Sequence, residues 1–211
     1  MHHLFLFFTL FFLNPNTPIE TKSDPNAKRL LDEVSAATDA IDVIFINFEF
    51  TLSNSSENIN ETTKGSLTVK NDQYILDFMG VKQVSNGETI WTVLEEDEEI
   101  QISEIDTEDQ DALSPSNLLK MYEKGFLYKL GKQSGNLQII ELIPENKEVD
   151  YSKIELLIDT QSKQIKSLKQ FGENTTSSEY KIHSFSPILI EDKAFTISAT
   201  DFPDFDVIDL R

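Results

Sequence analysis

The chain has 211 residues, with 15 Phe, five Tyr and one Trp but only seven Gly and seven Pro. That is enough apolar mass for one folded domain, and it excludes a low-complexity chain. With 18 basic and 37 acidic residues the net charge is −19, a field that repels phosphate backbones and anionic headgroups and speaks against nucleic acid or a membrane surface as partner.

The same charge suits solubility, or the steering of a basic partner surface, but composition does not locate a patch. Leu4 to Leu13 is apolar except for Thr9, too short to span a bilayer and the right length for the core of a secretory signal. His2 and His3 precede it where Lys or Arg would be usual, no Ala-x-Ala site follows, and Asn14-Pro15-Asn16-Thr17-Pro18 separates it from the rest. The expectation is a signal over residues 1–22 and one domain over 23–211. Cysteine is absent, so disulfides and a Cys-linked lipid anchor are ruled out and stability rests on the core. The expected product is soluble, outside the cytoplasm and monomeric.

Ser23 or Asp24 is placed to cap a helix, with Pro25 in its first turn. Ala27, Leu30, Leu31, Val34 and Ile41 recur at near-helical spacing. From Val43 the period becomes two: Ile44, Ile46, Phe48, Phe50 and Leu52 share one face. Ser53 to Thr63 reads as a polar loop. Leu67 and Val69 then alternate with polar residues, and Asn71-Asp72 turns the chain into Tyr74, Leu76 and Phe78. Met79-Gly80 leads to a short strand at Val81 to Val84, and Asn86-Gly87 delivers Thr89, Trp91 and Val93 onto one face. After an acidic tip at Glu95 to Glu99 comes a strand at Ile100 to Ile105 and a second acidic stretch to Asp111. Ser114-Pro115 opens a second helix with Leu118, Leu119 and Tyr122 on one face and Gly125 at its end. The remainder reads as strands at Phe126–Lys132, Leu137–Ile143, Lys153–Asp159, Gln164–Phe171, Glu179–Phe185 and Phe195–Ser198. About eleven antiparallel strands and two helices predict a mainly β fold: a curved sheet forming an incomplete, half-closed β-barrel under a helical lid.

Catalytic chemistry is thin. His183 is the one histidine beyond the signal segment, and it sits within a strand between Ile182 and Ser184. Without Cys, and with His this scarce, a nucleophile–base–acid set cannot be assembled. Gly-rich phosphate loops and zinc-ligand spacings are absent. Asp106, Glu108, Gln110 and Asp111 begin like a calcium loop but lack the Gly and closing Glu of an EF-hand, so a solvated loop is the better reading. No carboxylate pair stands out for glycoside cleavage. Asn54, Asn60 and Asn174 open acceptor patterns for glycosylation, and in so Asn-, Ser- and Thr-rich a chain they mark exposed loops at most. No catalytic residue, metal or cofactor is expected. What remains is the apolar strand faces, which read equally as core or as the lining of a cavity.

Several pieces occur in the order found in the periplasmic outer-membrane lipoprotein carrier (LolA-like) family. They are the helix with Leu30-Leu31 and Val34, Phe48-Glu49-Phe50, and Lys64 to Lys70 before Tyr74. Then come Asn86 to Trp91, Pro115 to Phe126, Leu142-Ile143-Pro144, the Phe195 strand and Val207 to Arg211. The chain resembles that family over roughly residues 24–211. The resemblance implies a half-barrel that holds lipoprotein acyl chains without covalent chemistry. It also implies a periplasmic location, transfer from an inner-membrane lipoprotein-releasing ABC transporter, and a possible outer-membrane acceptor.

On this reading Phe48, Phe50, Leu67, Val69, Tyr74, Leu76, Phe78, Trp91 and Val93 form the sheet side of a lipid site. Leu30, Leu31, Val34, Leu118, Leu119 and Tyr122 form the lid side. One departure stands out: the family carries an Arg after the Val-Lys strand end, bonded to the lid, whereas Val69-Lys70 is followed here by Asn71-Asp72. The alternatives are an envelope sensor of stray lipids or lipoproteins, or a general lipid-binding protein on the same fold; an extracytoplasmic hydrolase lacks its residues.

Overall fold

The computed structural model describes residues 22–105 and 121–211. The signal segment, the carboxylates from Asp106 to Asp111, and Leu118 and Leu119 lie outside the described residues.

Asp24 starts the fold. Its carboxylate accepts the amide hydrogens of Asn26 and Ala27 at 2.8 and 3.3 Å, and α1 runs Pro25–Asp39. The apolar stripe expected on this helix is buried at Ala27, Leu30, Leu31 and Val34. The opposite side carries the exposed pairs Lys28–Asp32 and Arg29–Glu33 at i,i+4 spacing, which add little to stability.

Twelve strands follow in a single sheet. The first six are β1 (Ile44–Asn54), β2 (Ile59–Lys70), β3 (Gln73–Phe78), β4 (Val81–Ser85), β5 (Thr89–Leu94) and β6 (Glu99–Glu104). After a 3-10 turn at Met121–Glu123 come β7 (Phe126–Ser134), β8 (Leu137–Pro144), β9 (Tyr151–Asp159), β10 (Gln164–Gly172) and β11 (Thr176–Pro187). Two further 3-10 turns, Asp192–Phe195 and Ala199–Asp201, lead to β12 (Asp206–Asp209).

The order is β12-β6-β5-β4-β3-β2-β1-β11-β10-β9-β8-β7. Two antiparallel meanders, β1–β6 and β7–β11, are thus joined through β1 and β11, and β12 adds parallel to β6. The sheet is curved and does not close, since β12 and β7 stand at opposite edges. The half-barrel expected from the alternation is the observed architecture.

Two local expectations change. Ser53 to Thr63 is mostly not a loop: β1 and β2 extend into it and turn through residues 55–58. Polar rungs replace apolar ones there, with the Thr51 and Thr62 hydroxyls 3.2 Å apart and Ser53 Oγ donating to Asn60 Oδ1 at 2.9 Å. Asn60 consequently lies in a strand, and Asn54 is half-buried with its amide donating to Thr176. Second, Phe195 closes a 3-10 turn rather than opening a strand. The second helix expected from Ser114-Pro115 falls mostly outside the described residues, among which α1 is the single α-helix.

The concave apolar face

Residues opposite one another in an antiparallel ladder project to the same side of the sheet. Phe48 faces Gly65, and Gly65 faces Phe78; Ile46 faces Leu67, which faces Leu76; Ile44 faces Val69, which faces Tyr74. Phe48, Phe50, Leu67, Val69, Tyr74, Leu76 and Phe78 therefore share one face, as the sequence alternation requires. The ladder continues through β11: Phe48 opposes Ile182 and Phe50 opposes Tyr180, after a bulge that accommodates His183 as an extra residue.

The same side carries α1. Leu30, Leu31 and Val34 are buried against a cluster that includes Ile140, Leu142, Ile154, Leu156 and Tyr128. Tyr122 joins this cluster from the 3-10 turn after the undescribed segment, and burial pushes its phenol pKa upward. Tyr180 and Ile182 touch both this cluster and the one built on Phe48. The concave face is thus continuous, with α1 seated on its β7–β10 half.

On the other half four rings form a closed circuit. Ring centroids are 5.4 Å apart for Phe48 and Phe78, and 5.6 Å for Phe78 and Phe50. They are 4.9 Å apart for Phe50 and Tyr180, and 5.8 Å for Tyr180 and Phe48. All four contacts are tilted or edge-on, the arrangements that aromatic quadrupoles favour. Phe50, Phe78 and Tyr180 are only partly buried. One rung beyond Phe50 and Tyr180, Leu52, Gln170, Thr176 and Ser178 line an open groove of about 320 Å3.

The structure separates some residues that the sequence groups together. Following the unbroken register through β4 and β5, Phe78 faces Val81 and Val81 faces Leu94, whereas Val84 faces Trp91 and Lys82 faces Val93. Trp91 and Val93 therefore lie on the opposite, convex face, and their assignment to the same surface as Phe48 is corrected. Leu30, Leu31 and Val34 are buried in the cluster with Ile140, Leu142, Ile154 and Leu156, against which Tyr180 of the aromatic circuit also packs. Tyr180 was missing from the sequence expectation; its only signal is an alternation with Ile182 that the bulge at His183 then breaks.

The latch also differs from the expected pattern. Asn71 occupies a turn with φ 52°, and the preceding Lys70 donates to Asp192 at 2.6 Å on the convex side, away from α1. The helix is tied instead by Lys163, which pairs with Glu33, and by Ser35 Oγ, which donates to Glu123 at 2.7 Å. The Lys163 ammonium holds the Glu33 carboxyl below its ordinary pKa. His183 lies on the surface with Nε2 3.7 Å from Glu49. Among the described residues no three His, Cys, Asp or Glu side chains are grouped to hold a metal ion, and no helix is long and apolar enough to cross a membrane.

No family model matches the chain, and no curated protein matches it. Solved structures do. An uncharacterized conserved protein from Thermus thermophilus superposes with a TM-score of 0.54 at 12% identity, over 87% of this chain and 99% of that one. A LolA superfamily protein from Nitrosomonas europaea gives 0.46 at 11% identity, over 81% and 97%. The Mycobacterium tuberculosis lipoprotein LppX gives 0.48 at 13%, over 80% and 100%. The first of these shows a shared fold. The chain is an open half-barrel, with a helix seated on one half of its concave face and an aromatic circuit on the other.

Proposed function

We propose that this chain is a non-catalytic carrier that holds the acyl chains of lipoproteins on its concave face. In this reading it is exported to the periplasm, acts as a monomer, receives cargo from an inner-membrane ABC transporter and delivers it to the outer membrane or an acceptor there. The observation that carries the reading is the partly exposed circuit of Phe48, Phe50, Phe78 and Tyr180 beside α1. Rings left partly open to solvent on a concave surface offer an acyl chain somewhere to lie, and each buried methylene contributes about 0.8 kcal/mol. Release is then the harder step. Because α1 is held by its buried apolar stripe as well as by Lys163–Glu33 and Ser35–Glu123, release is expected at the aromatic half of the face, where the rings are only partly buried.

The test is mass spectrometry of what co-purifies with the tagged protein from periplasm. Acylated lipoproteins should accompany the parent protein and Trp91→Ala, whose substitution lies on the other face. They should be lost from Phe50→Asp and Phe78→Asp. Free lipids alone, or equal retention in all four proteins, would overturn the carrier reading.

A further inference from the structure

The two edges of the sheet are finished differently. On β7, Tyr128 is covered: its carbonyl accepts from the Asp24 amide at 2.8 Å and its own amide donates to Ser23 Oγ at 3.1 Å. Exposed Lys129 and Lys132 flank it, a usual protection of an edge strand. β12 is short and carries Asp206 and Asp209, but no other described segment bonds its outer backbone. Asp206 N donates to Glu98 O and Leu210 N to Ile102 O, both at 2.8 Å. With the two-residue period of a strand, residues 206, 208 and 210 bond inward to β6. The backbone N–H and C=O groups of Val207 and Asp209 therefore point out of the sheet edge.

The side chains along this edge mix acids with apolar residues. Asp206, Val207, Ile208 and Asp209 are all exposed, with Val207 at 46%, Ile208 at 39% and the following Leu210 at 61%. The parallel register sets Asp206 beside Glu99, at the end of the Glu95-Glu96-Asp97-Glu98-Glu99 turn. Asp209 is paired with Arg211, but among the described residues no base lies within ion-pair distance of residues 95–99, Asp204 or Asp206. An open strand edge with exposed Val207 and Ile208 beside this acidic turn complements an extended chain that carries both apolar and basic residues.

We infer that β12 is a docking edge for an extended, Lys- or Arg-bearing segment of a partner protein, which binds by adding a strand. Its backbone bonds the outward groups of Val207 and Asp209, and its bases lie beside Asp206 and the 95–99 turn. This site is separate from the concave face and does not depend on what that face holds.

The probe is a short fluorescent peptide alternating lysine and valine, titrated into the full chain by anisotropy. Three comparisons accompany it: the glutamate–valine peptide, the lysine–valine peptide N-methylated at alternate amides, and the variant Val207→Pro. That substitution removes an outward N–H without touching the β6 ladder. The lysine peptide should bind, weaken with salt and slow hydrogen exchange at Val207 and Asp209. The glutamate peptide should lose about tenfold or more, as expected of several exposed charge pairs, and N-methylation and Val207→Pro should each abolish binding. If Val207→Pro fails to fold, the N-methylated peptide still decides. Equal binding of the N-methylated peptide, or protection elsewhere, would overturn the inference. So would self-association of the chain through this edge, seen by light scattering and lost in Val207→Pro.

Discussion

The ring of Phe48 lies on Gly65, its direct partner across the β1–β2 ladder. A Cβ on Gly65 would stand 2.5 Å from Phe48 Cζ, 2.8 Å from Cε2 and 3.0 Å from the Asp77 carbonyl oxygen. Glycine is therefore what lets the ring lie flat on the strand and reach both Phe78 and Tyr180. The aromatic circuit depends on this one absent side chain.

Gly65→Ala should consequently push Phe48 out of the circuit and destabilise the fold by about 1–3 kcal/mol, the usual cost of overpacking. Gly172→Ala is the comparison, because its Cβ would meet nothing nearer than 3.5 Å, and its effect should be much smaller. Urea unfolding gives the stability change, and near-UV circular dichroism reports the rings. Equal midpoints for the two variants would show that the Phe48 stack is not tight.

After β11 the chain crosses to the convex side. Asp192 accepts from Lys70 there, and Phe195 at the end of the same 3-10 turn is fully buried. Val84, Val93 and Ile100 are buried on that side as well. Phe195→Ala should cost about 3–5 kcal/mol, as for a large ring removed from a core. Lys70→Ala should cost far less, because its partner is mostly solvated. Thermal unfolding of both variants checks the ranking, and the reverse order would mean that the ion pair holds this segment.

Alternation within β1, β3 and β5, the Asp24 cap and the turns at Asn71 and Asn86-Gly87 were legible because each is a local signal. What joins strands over long sequence distances was not. Trp91 and Val93 alternate correctly, yet their period says nothing about which phase faces Phe48; only the register through β4 decides that, and it places Gln83 and Ser85 on the concave side instead. Tyr180 reaches Phe50 through the β1–β11 pairing, which no local pattern announces. The polar end of the β1–β2 hairpin looked like a loop because its rungs are Thr, Ser and Asn, residues that hydrogen-bond across strands as readily as they form turns.

Asp24 serves two roles, capping α1 through its side chain and bonding the β7 edge through its amide. Asp24→Ala removes only the first, so it should lower stability by about 0.5–2 kcal/mol. Asp24→Asn should recover most of the loss. Urea midpoints for the pair provide the check, and an Asn variant as weak as Ala would indicate that the cap bond is not what the carboxylate supplies.

The last prediction concerns alkaline pH. Tyr74 is 2% exposed, and its hydroxyl lies 3.4 Å from Gln83 Oε1, a long and weak bond. Burial pushes its pKa up to about 12 from the ordinary 10.0, because the phenolate loses its hydration inside the sheet. A folded-state value above the unfolded one means that above pH 10 the unfolded chain releases a proton that the folded chain keeps. Stability from this residue is thus complete below pH 10 and is lost as pH rises towards 12, by roughly 2–3 kcal/mol in all. Tyr180, also raised by burial, adds in the same direction. Tyr74→Phe should change stability little at neutral pH but flatten the fall between pH 10 and 12, as read from urea midpoints across that range. Parallel curves for the two proteins would mean that Tyr74 ionises without unfolding the sheet around it.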